Sequence, residues 1–269
     1  MIKDITLGQY FPGDSLIHRT DPRVKIVLSL ILMATILVLK SYTVFLMFGS
    51  FILASVMVSR IPVRYTLKGL KPIMFIVVFT TLVNIFTTPG SVIYEYKFLH
   101  ITWEGLDKAA KIALRLSLLI MSTSLLTLTT TPISLTDGIE RLLNPLKRFR
   151  LPVHEFAMMM TIALRFIPAL LEETDKIMKA QASRGADFET GNIIQRAKSF
   201  IPVLVPLFVS AFRRAEDLAV AMEARCYRGG EGRTRMKQLK LSKVDFKVLL
   251  SVLVFEFILL YVQYLKMPV

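Results

Sequence analysis

Cysteine occurs once, at Cys226, tryptophan once, at Trp103, and histidine three times, at His18, His100 and His154. One cysteine excludes an internal disulfide and any CxxC metal or redox pair, and three scattered histidines offer no zinc-ligand spacing. Neither HExxH nor GxxxxGK followed by Ser or Thr is present. The chain therefore encodes neither zinc-dependent hydrolysis nor P-loop nucleotide hydrolysis. A membrane-embedded lipid-modifying enzyme, one alternative for an apolar chain, would need clustered carboxylates or histidines, and no DDxxD-like pair or HxxxD arrangement occurs. The first 23 residues are polar and broken by Pro12, Gly13 and Pro22, so no cleavable signal peptide is expected. Acidic residues are also scarce, 20 against 34 Lys and Arg, for a net charge of +14.

What the chain does hold is apolar surface. Of its 269 residues 54% are hydrophobic and the mean hydropathy is +0.55, against about 45–50% apolar in an ordinary soluble domain. A sequence pI near 10.0 would also suit a nucleic-acid binder, but such a domain rarely carries this much hydrocarbon. Both numbers fit a basic integral membrane protein, with no nucleic acid as partner.

A span needs about 20 mostly apolar residues to cross roughly 30 Å of hydrocarbon. Uncharged stretches at 26–39, 41–59, 72–94, 116–136 and 248–265, the last interrupted only by Glu256, predict five. The first is short and requires Lys25 and Lys40 to snorkel to the two interfaces. The predicted organisation is an N-terminal membrane domain, 1–136, with spans at about 24–40, 41–59, 72–94 and 112–132. A coupling domain at 137–230 follows, then a basic linker at 231–247 and a last span at 248–266. With the N-terminus inside, 28 of the 34 basic residues fall on the cytoplasmic side, as retention of positive charge there demands. The C-terminus is then external. Lys108, Lys111 and Arg115 are the irregularity, since they enter the fourth span from outside. The outer loop at about 94–107, with Tyr94, Tyr96, Phe98 and Trp103, has an interfacial aromatic character. Glu256 is expected to face the bundle or to bond a Ser or Thr of the fourth span.

The region before the last span is too long for a connector, and helices are predicted at about 137–150, 153–184 and 192–227. Glu172 with Lys176 and Asp175 with Lys179 are spaced as i,i+4 pairs. In the first long helix Phe156, Met160, Ala163, Ile167, Leu170, Thr174 and Ile177 form a stripe of four-three steps that runs through Gln181 to Arg184. Leu204, Phe208, Ala211, Ala215, Leu218 and Met222 repeat it and end on Arg225, the 3.5-residue period of a packing seam. Phe166-Ile167-Pro168 and Phe200-Ile201-Pro202 precede the two arginines as a weak internal repeat, and Gly185 and Gly229-Gly230 are expected to stop the helices. A cation in a last helical turn offsets the macrodipole by about 0.3–1 kcal/mol and needs no partner. Two arginines closing equivalent stripes point further, to insertion of planar guanidinium forks into acidic or carbonyl-lined grooves of another protein.

Three motifs resemble the transmembrane T component of energy-coupling factor (ECF) transporters, importers related to ABC transporters. They are GDSLIHRTDPRVKI (13–26), with Thr20 where Leu is common, LRFIPALLEETDKIMKAQASRGADF (164–188), and ARCYRGG (224–230). The likeness covers essentially the whole chain. It implies an all-α integral membrane protein of about five transmembrane helices, with a cytoplasmic coupling domain of long amphipathic helices inserted before the last span. It implies ATPase docking through Ser183-Arg184-Gly185 and Ala224-Arg225-Cys226, which depart from Ala-Arg-Gly at Ser183 and Cys226. The implied partners are two ABC-type ATPases, which bind the ATP, and one or more membrane-embedded S components that bind a vitamin or other micronutrient. No catalytic residue, metal or cofactor is expected in the chain itself, which would sit, surrounded by lipid, in a prokaryotic cell membrane. The uncharged segment at 200–212 is expected to lie flat at the membrane surface. There Phe200, Ile201, Val203, Leu204, Val205, Leu207 and Phe208 would meet the S component. Asp21, Pro22 and Arg23 are read as a structural motif, N-cap followed by Pro at N1. A self-sufficient permease would use 156–171 and 199–212 as additional spans; Arg165 and the 14-residue length of the second stand against it. Labelling a cysteine at Gly191 separates the two topologies.

Overall fold

The computed structural model describes residues 10–96, 99–149, 151–188, 190, 192–229 and 239–265, which fall into two compact units, 10–142 with 239–265 and 143–229. Lys97 and Phe98 of the outer loop, Gly191, Gly230, residues 231–238 of the linker and Lys266 lie outside the described residues.

The larger unit is helical. A one-turn helix α1 (Leu16–Arg19) precedes α2 (Pro22–Val38), α3 (Tyr42–Val58), α4 (Val63–Lys68) and α5 (Lys71–Thr87). A hairpin, β1 (Val92–Tyr96) and β2 (Leu99–Thr102), leads to α6 (Trp103–Thr129) and α7 (Pro132–Leu143). The third apolar stretch was expected to remain helical to about residue 94; the helix ends at Thr87 instead, where Thr88, Pro89 and Gly90 break it. The fourth begins nine residues earlier than expected, because Thr102 caps it by accepting the Gly105 N–H at 3.0 Å. A side chain at Gly105 would come within 2.9 Å of the Ile85 carbonyl, so glycine lets α6 start against the end of α5.

In this unit α6 packs against α2, α3 and α5, and α11 (Lys243–Leu265) packs against α2 and α3. Leu28, Leu32, Ile36 and Leu39 on α2 and its end meet Phe45, Phe48 and Ile52 on α3, with Leu118, Val252 and Leu259 closing the core. The steps of three and four are what a helix needs to present one apolar face. Phe51 and Phe255 stack at 4.0 Å between centroids. By contrast α5 buries only Val77, and Phe75, Phe79 and Leu82 are exposed.

The smaller unit holds a short 3-10 turn (Asn144–Phe149), α8 (Val153–Ser183), α9 (Ile193–Ser199) and α10 (Ile201–Ala224). The segment expected to lie flat at 200–212 is thus the first half of a longer helix. Among the described residues four helices are able to cross a membrane by length and composition: α6, α8, the Ile194–Ala224 stretch and α11. Two of these are the helices expected in the cytoplasm, and they qualify because their charges gather toward their C-terminal halves, leaving an apolar window. The expected count of about five instead includes α2, α3 and α5, whose 17 residues each rise about 25 Å, the short limit of a span.

Candidate functional site

Two helix ends carry the candidate docking residues, and each is built from backbone hydrogen bonds. At the end of α8 Arg184 is the C-cap. The Gly185 N–H donates to the Ala182 carbonyl at 2.9 Å and the Ala186 N–H to the Gln181 carbonyl at 3.0 Å. At the end of α10 Arg225 is the C-cap. The Cys226 N–H donates to the Glu223 carbonyl at 2.8 Å and the Tyr227 N–H to the Met222 carbonyl at 3.0 Å. Both ends are Schellman motifs in the same register. That motif needs a left-handed residue after the cap, and Gly185 supplies it at φ +91°, Cys226 at φ +54°. The second helix is therefore stopped at Cys226, three residues before the glycines expected to stop it. Hydrogen bonds that the backbone must make anyway outweigh the roughly 1–2 kcal/mol cost of a non-glycine residue in that region. Ser183, Arg184, Gly185, Ala224, Arg225 and Cys226 are all exposed.

The two helices run antiparallel. Glu173 of α8 pairs with the Arg214 guanidinium of α10 and accepts from Ser210 Oγ at 2.6 Å, while Gln181 reaches the Pro202 carbonyl at 3.5 Å. Arg184 therefore lies beside the start of α10 and Arg225 beside the start of α8. The tips stand at opposite ends of a rod roughly 36 Å long, the rise of the 24 residues of α10. The expected pairs Glu172–Lys176 and Asp175–Lys179 do not form; the cross-helix Glu173–Arg214 pair forms in their place.

The apolar stripe on α10 keeps its expected seam only in part. Ala211, Leu218 and Met222 are partly covered, whereas Leu204, at 45%, Phe208, at 62%, and Ala215 point outward, and Val203, 2% exposed, and Leu207 take the inner face near the start of the helix. In α8 Phe156 and Met160 are exposed too, and the buried positions are Val153, His154 and Ala157. Of the seven residues expected to meet a membrane partner, Ile201, Leu204, Val205 and Phe208 are exposed and Leu207 is half-buried. Phe200 packs on the Phe188 ring at 5.3 Å. Val203 is turned inward and offers nothing to a partner.

The N-terminal motif does different work. Asp21 caps α2, accepting the Arg23 N–H at 2.9 Å, and Pro22 occupies the first helical position. The Arg23 guanidinium holds both Asp21 carboxylate oxygens, at 3.0 and 2.8 Å. Asp21 in turn donates its N–H to Asp245 Oδ1 at 2.6 Å, and Asp245 Oδ2 accepts from Ser242 N–H and Oγ at 2.6 and 2.9 Å. Burial pushes the Asp21 carboxyl up, but the hydrogen bonds and charge of Arg23 outweigh it and hold the group below its ordinary value. His18 fastens the preceding loop between Ser15 Oγ at 2.7 Å and the Phe11 carbonyl at 3.0 Å.

Of the two lysines expected at the membrane interfaces, Lys40 is exposed and Lys25 turns inward instead. Lys25 is 8% exposed, and its Nζ donates to the Thr129 carbonyl at 2.9 Å, to Thr130 Oγ1 at 3.3 Å and to the His18 carbonyl at 3.2 Å. It closes the C-terminus of α6, whose last carbonyls lack helical partners. Arg115 does the same for α2, donating to the Leu39 carbonyl at 2.6 Å. The basic residues at the start of α6 are thereby accounted for in part, with Lys111 paired to Asp107 at 2.7 Å. Glu256 faces the bundle as expected, but its partner is Thr35 of α2, whose Oγ1 lies 2.7 Å from Glu256 Oε2, rather than a residue of α6.

Comparison with known proteins gives one consistent result. The family model described as cobalt transport protein matches residues 13–236. An energy-coupling factor transporter transmembrane protein EcfT of Ruminiclostridium cellulolyticum is 60% identical over 248 residues, 92% of this chain and 93% of its own. One of Clostridium kluyveri is 59% identical over 256 residues, covering 94% and 95%. One of Bacillus subtilis is 48% identical over 264 residues, covering 98% and 100%.

Proposed function

The chain belongs to this family, the membrane-spanning T components of energy-coupling factor transporters, and on that premise we propose that it couples two ABC-type ATPases to a substrate-binding S component. The observation that carries the proposal is the pair of equivalent helix ends, Arg184 and Arg225, at opposite ends of one antiparallel helix pair. Each arginine is the C-cap of a backbone-locked motif and is exposed. A guanidinium fork held there presents up to five donors to carboxylates or carbonyls of a partner. Tips about 36 Å apart suit one ATPase each.

ATP binding draws the two ATPases together, and the paired helices carry that displacement as a unit because Glu173, Arg214 and Ser210 tie their middles. The outward face of α10, with Ile201, Leu204, Val205 and Phe208, meets the S component, which holds the vitamin or other micronutrient being imported. The chain itself carries out no hydrolysis. The N-terminus and the α8–α10 unit lie in the cytoplasm and the C-terminus outside, the orientation that keeps 28 of 34 basic residues inside and places them near anionic lipid.

Arg184→Ala and Arg225→Ala are each expected to weaken assembly with the ATPases at least tenfold, and together to abolish uptake. Normal assembly and transport by the double variant would overturn the proposal. Lysine rescues only partly, since it lacks the planar fork.

A further inference from the structure

Beside the Arg225 tip, α8 and α10 enclose a groove of about 700 Å³, a size typical of pockets that bury a ligand. Its apolar wall is made by Met158, Ile162, Leu218 and Met222, and three arginines, Arg165, Arg225 and Arg228, line it with no carboxylate among the lining residues. Elsewhere on the same helix pair a guanidinium within reach of a carboxylate forms an ion pair, as Arg214 does with Glu173. Arg165, Arg225 and Arg228 have no side-chain hydrogen bond or ion pair among the described residues, and all three are exposed.

The geometry points to this groove as a second docking site for the ATPase that engages Arg225, taking an acidic amphipathic segment of that subunit. Its carboxylates meet Arg165 and Arg228, and its apolar face lies on Met158, Ile162, Leu218 and Met222. The inference rests on the ATPase-docking function proposed above. Charge complementarity carries it: three like charges around one apolar groove repel one another until an anionic partner enters, and each supplies a bidentate fork. Continuity with Arg225 selects the source of the anion, because a segment seated there belongs to whatever holds that tip. It makes the two ends of the rod unequal in chemistry, since the Arg225 end then recognises its ATPase through three forks rather than one.

The test uses the full chain in nanodiscs of phosphatidylcholine, titrated with its purified ATPase pair. With Arg225 intact, Arg165→Glu combined with Arg228→Glu is expected to raise the dissociation constant at least tenfold and to flatten its dependence on salt. Arg165→Gln with Arg228→Gln, which removes the charge without adding repulsion, is expected to raise it about threefold to tenfold, with an unchanged melting temperature. If both double variants bind as the parent does while Arg225→Ala binds weakly, the groove assignment is overturned and the docking role of Arg225 stands. If Arg225→Ala also binds as the parent does, the docking function itself fails. Retention of phosphatidylglycerol through these arginines, lost in the variants with ATPase affinity unchanged, would overturn the proposal in favour of a lipid site.

Discussion

The two units of the chain treat the same kinds of charged residue in opposite ways. In the helical bundle of 10–142 and 239–265, charge is buried and consumed locally: Lys25 closes the end of α6, Arg115 the end of α2, and Asp245, 3% exposed, takes hydrogen bonds from Asp21 and Ser242. In the α8–α10 unit the arginines at both tips and in the groove are exposed and lack side-chain partners among the described residues. A buried charge without a partner costs several kcal/mol, and these three are each met by hydrogen bonds. An exposed arginine costs little and remains available. The bundle's charges hold a fold together, and the tips' charges are held in place by a fold.

That contrast is broken most directly by variants that separate folding from coupling. Combining Arg184→Ala with Arg225→Ala is expected to reduce uptake at least a hundredfold while shifting the melting temperature of the purified chain by less than about 2 °C, since exposed substitutions usually fall within ±0.5 kcal/mol. Asp245→Ala should do the reverse. It strands the buried Asp21 N–H and takes the acceptor from the exposed Ser242 N–H, at about 1–3 kcal/mol, lowering the thermal midpoint and the amount of protein in the membrane. Transport per assembled complex should remain. An alanine double variant at the tips that melted the chain, or an Asp245 variant that folded normally and failed to couple, would erase the distinction.

A smaller effect sharpens the equivalence of the two tips. Cys226→Gly is expected to stabilise the end of α10 by about 1 kcal/mol, and Gly185→Ala to destabilise the end of α8 by a similar amount. The cost at Gly185 is purely conformational, because nothing lies within 4 Å of an added Cβ. Hydrogen exchange of the Cys226, Tyr227, Gly185 and Ala186 amides reads both changes, and equal exchange in parent and variants would deny the shared motif.

The smallest effect concerns acid. Because the Asp21 carboxyl is held below its ordinary value of 3.8, its pairing with Arg23 contributes stability that is complete above that value and lost as pH falls through the lowered one. Melting followed from pH 5 downward should show a loss that Asp21→Asn removes. An identical acid response in that variant would place the stabilisation elsewhere.

Much of this was legible in the sequence. Helices begin and end near the expected places because Asp21-Pro22, Pro152 and Gly185 punctuate them in ways that need no tertiary context. The arginine tips were legible because helical periodicity carries a residue type along one face. What was hidden depends on neighbours distant in sequence. Lys25 reads as an interfacial lysine until Thr129, 104 residues on, supplies a carbonyl. Glu256 meets Thr35, 221 residues away. The start of the α10 seam slips toward Val203 because the contact face is chosen by α8 and not by the hydrophobic count alone. Arg165 is an argument against a membrane span when read in sequence, and becomes part of a groove only when antiparallel pairing brings it near Arg225 and Arg228. A cross-helix spacing of this kind, once the hairpin of two long helices is assumed, was the signal available to find it.

The central claim, that the Arg225 tip enters an ATPase, is open to direct test through the one native cysteine. Cys226 is exposed and adjoins that arginine. Its rate of modification by a membrane-impermeant maleimide is to be measured on the full chain in inside-out membranes, with and without the ATPase pair. Rapid labelling of the chain alone, slowed at least tenfold by the ATPases, is the result expected. Equal rates in both conditions would contradict the claim.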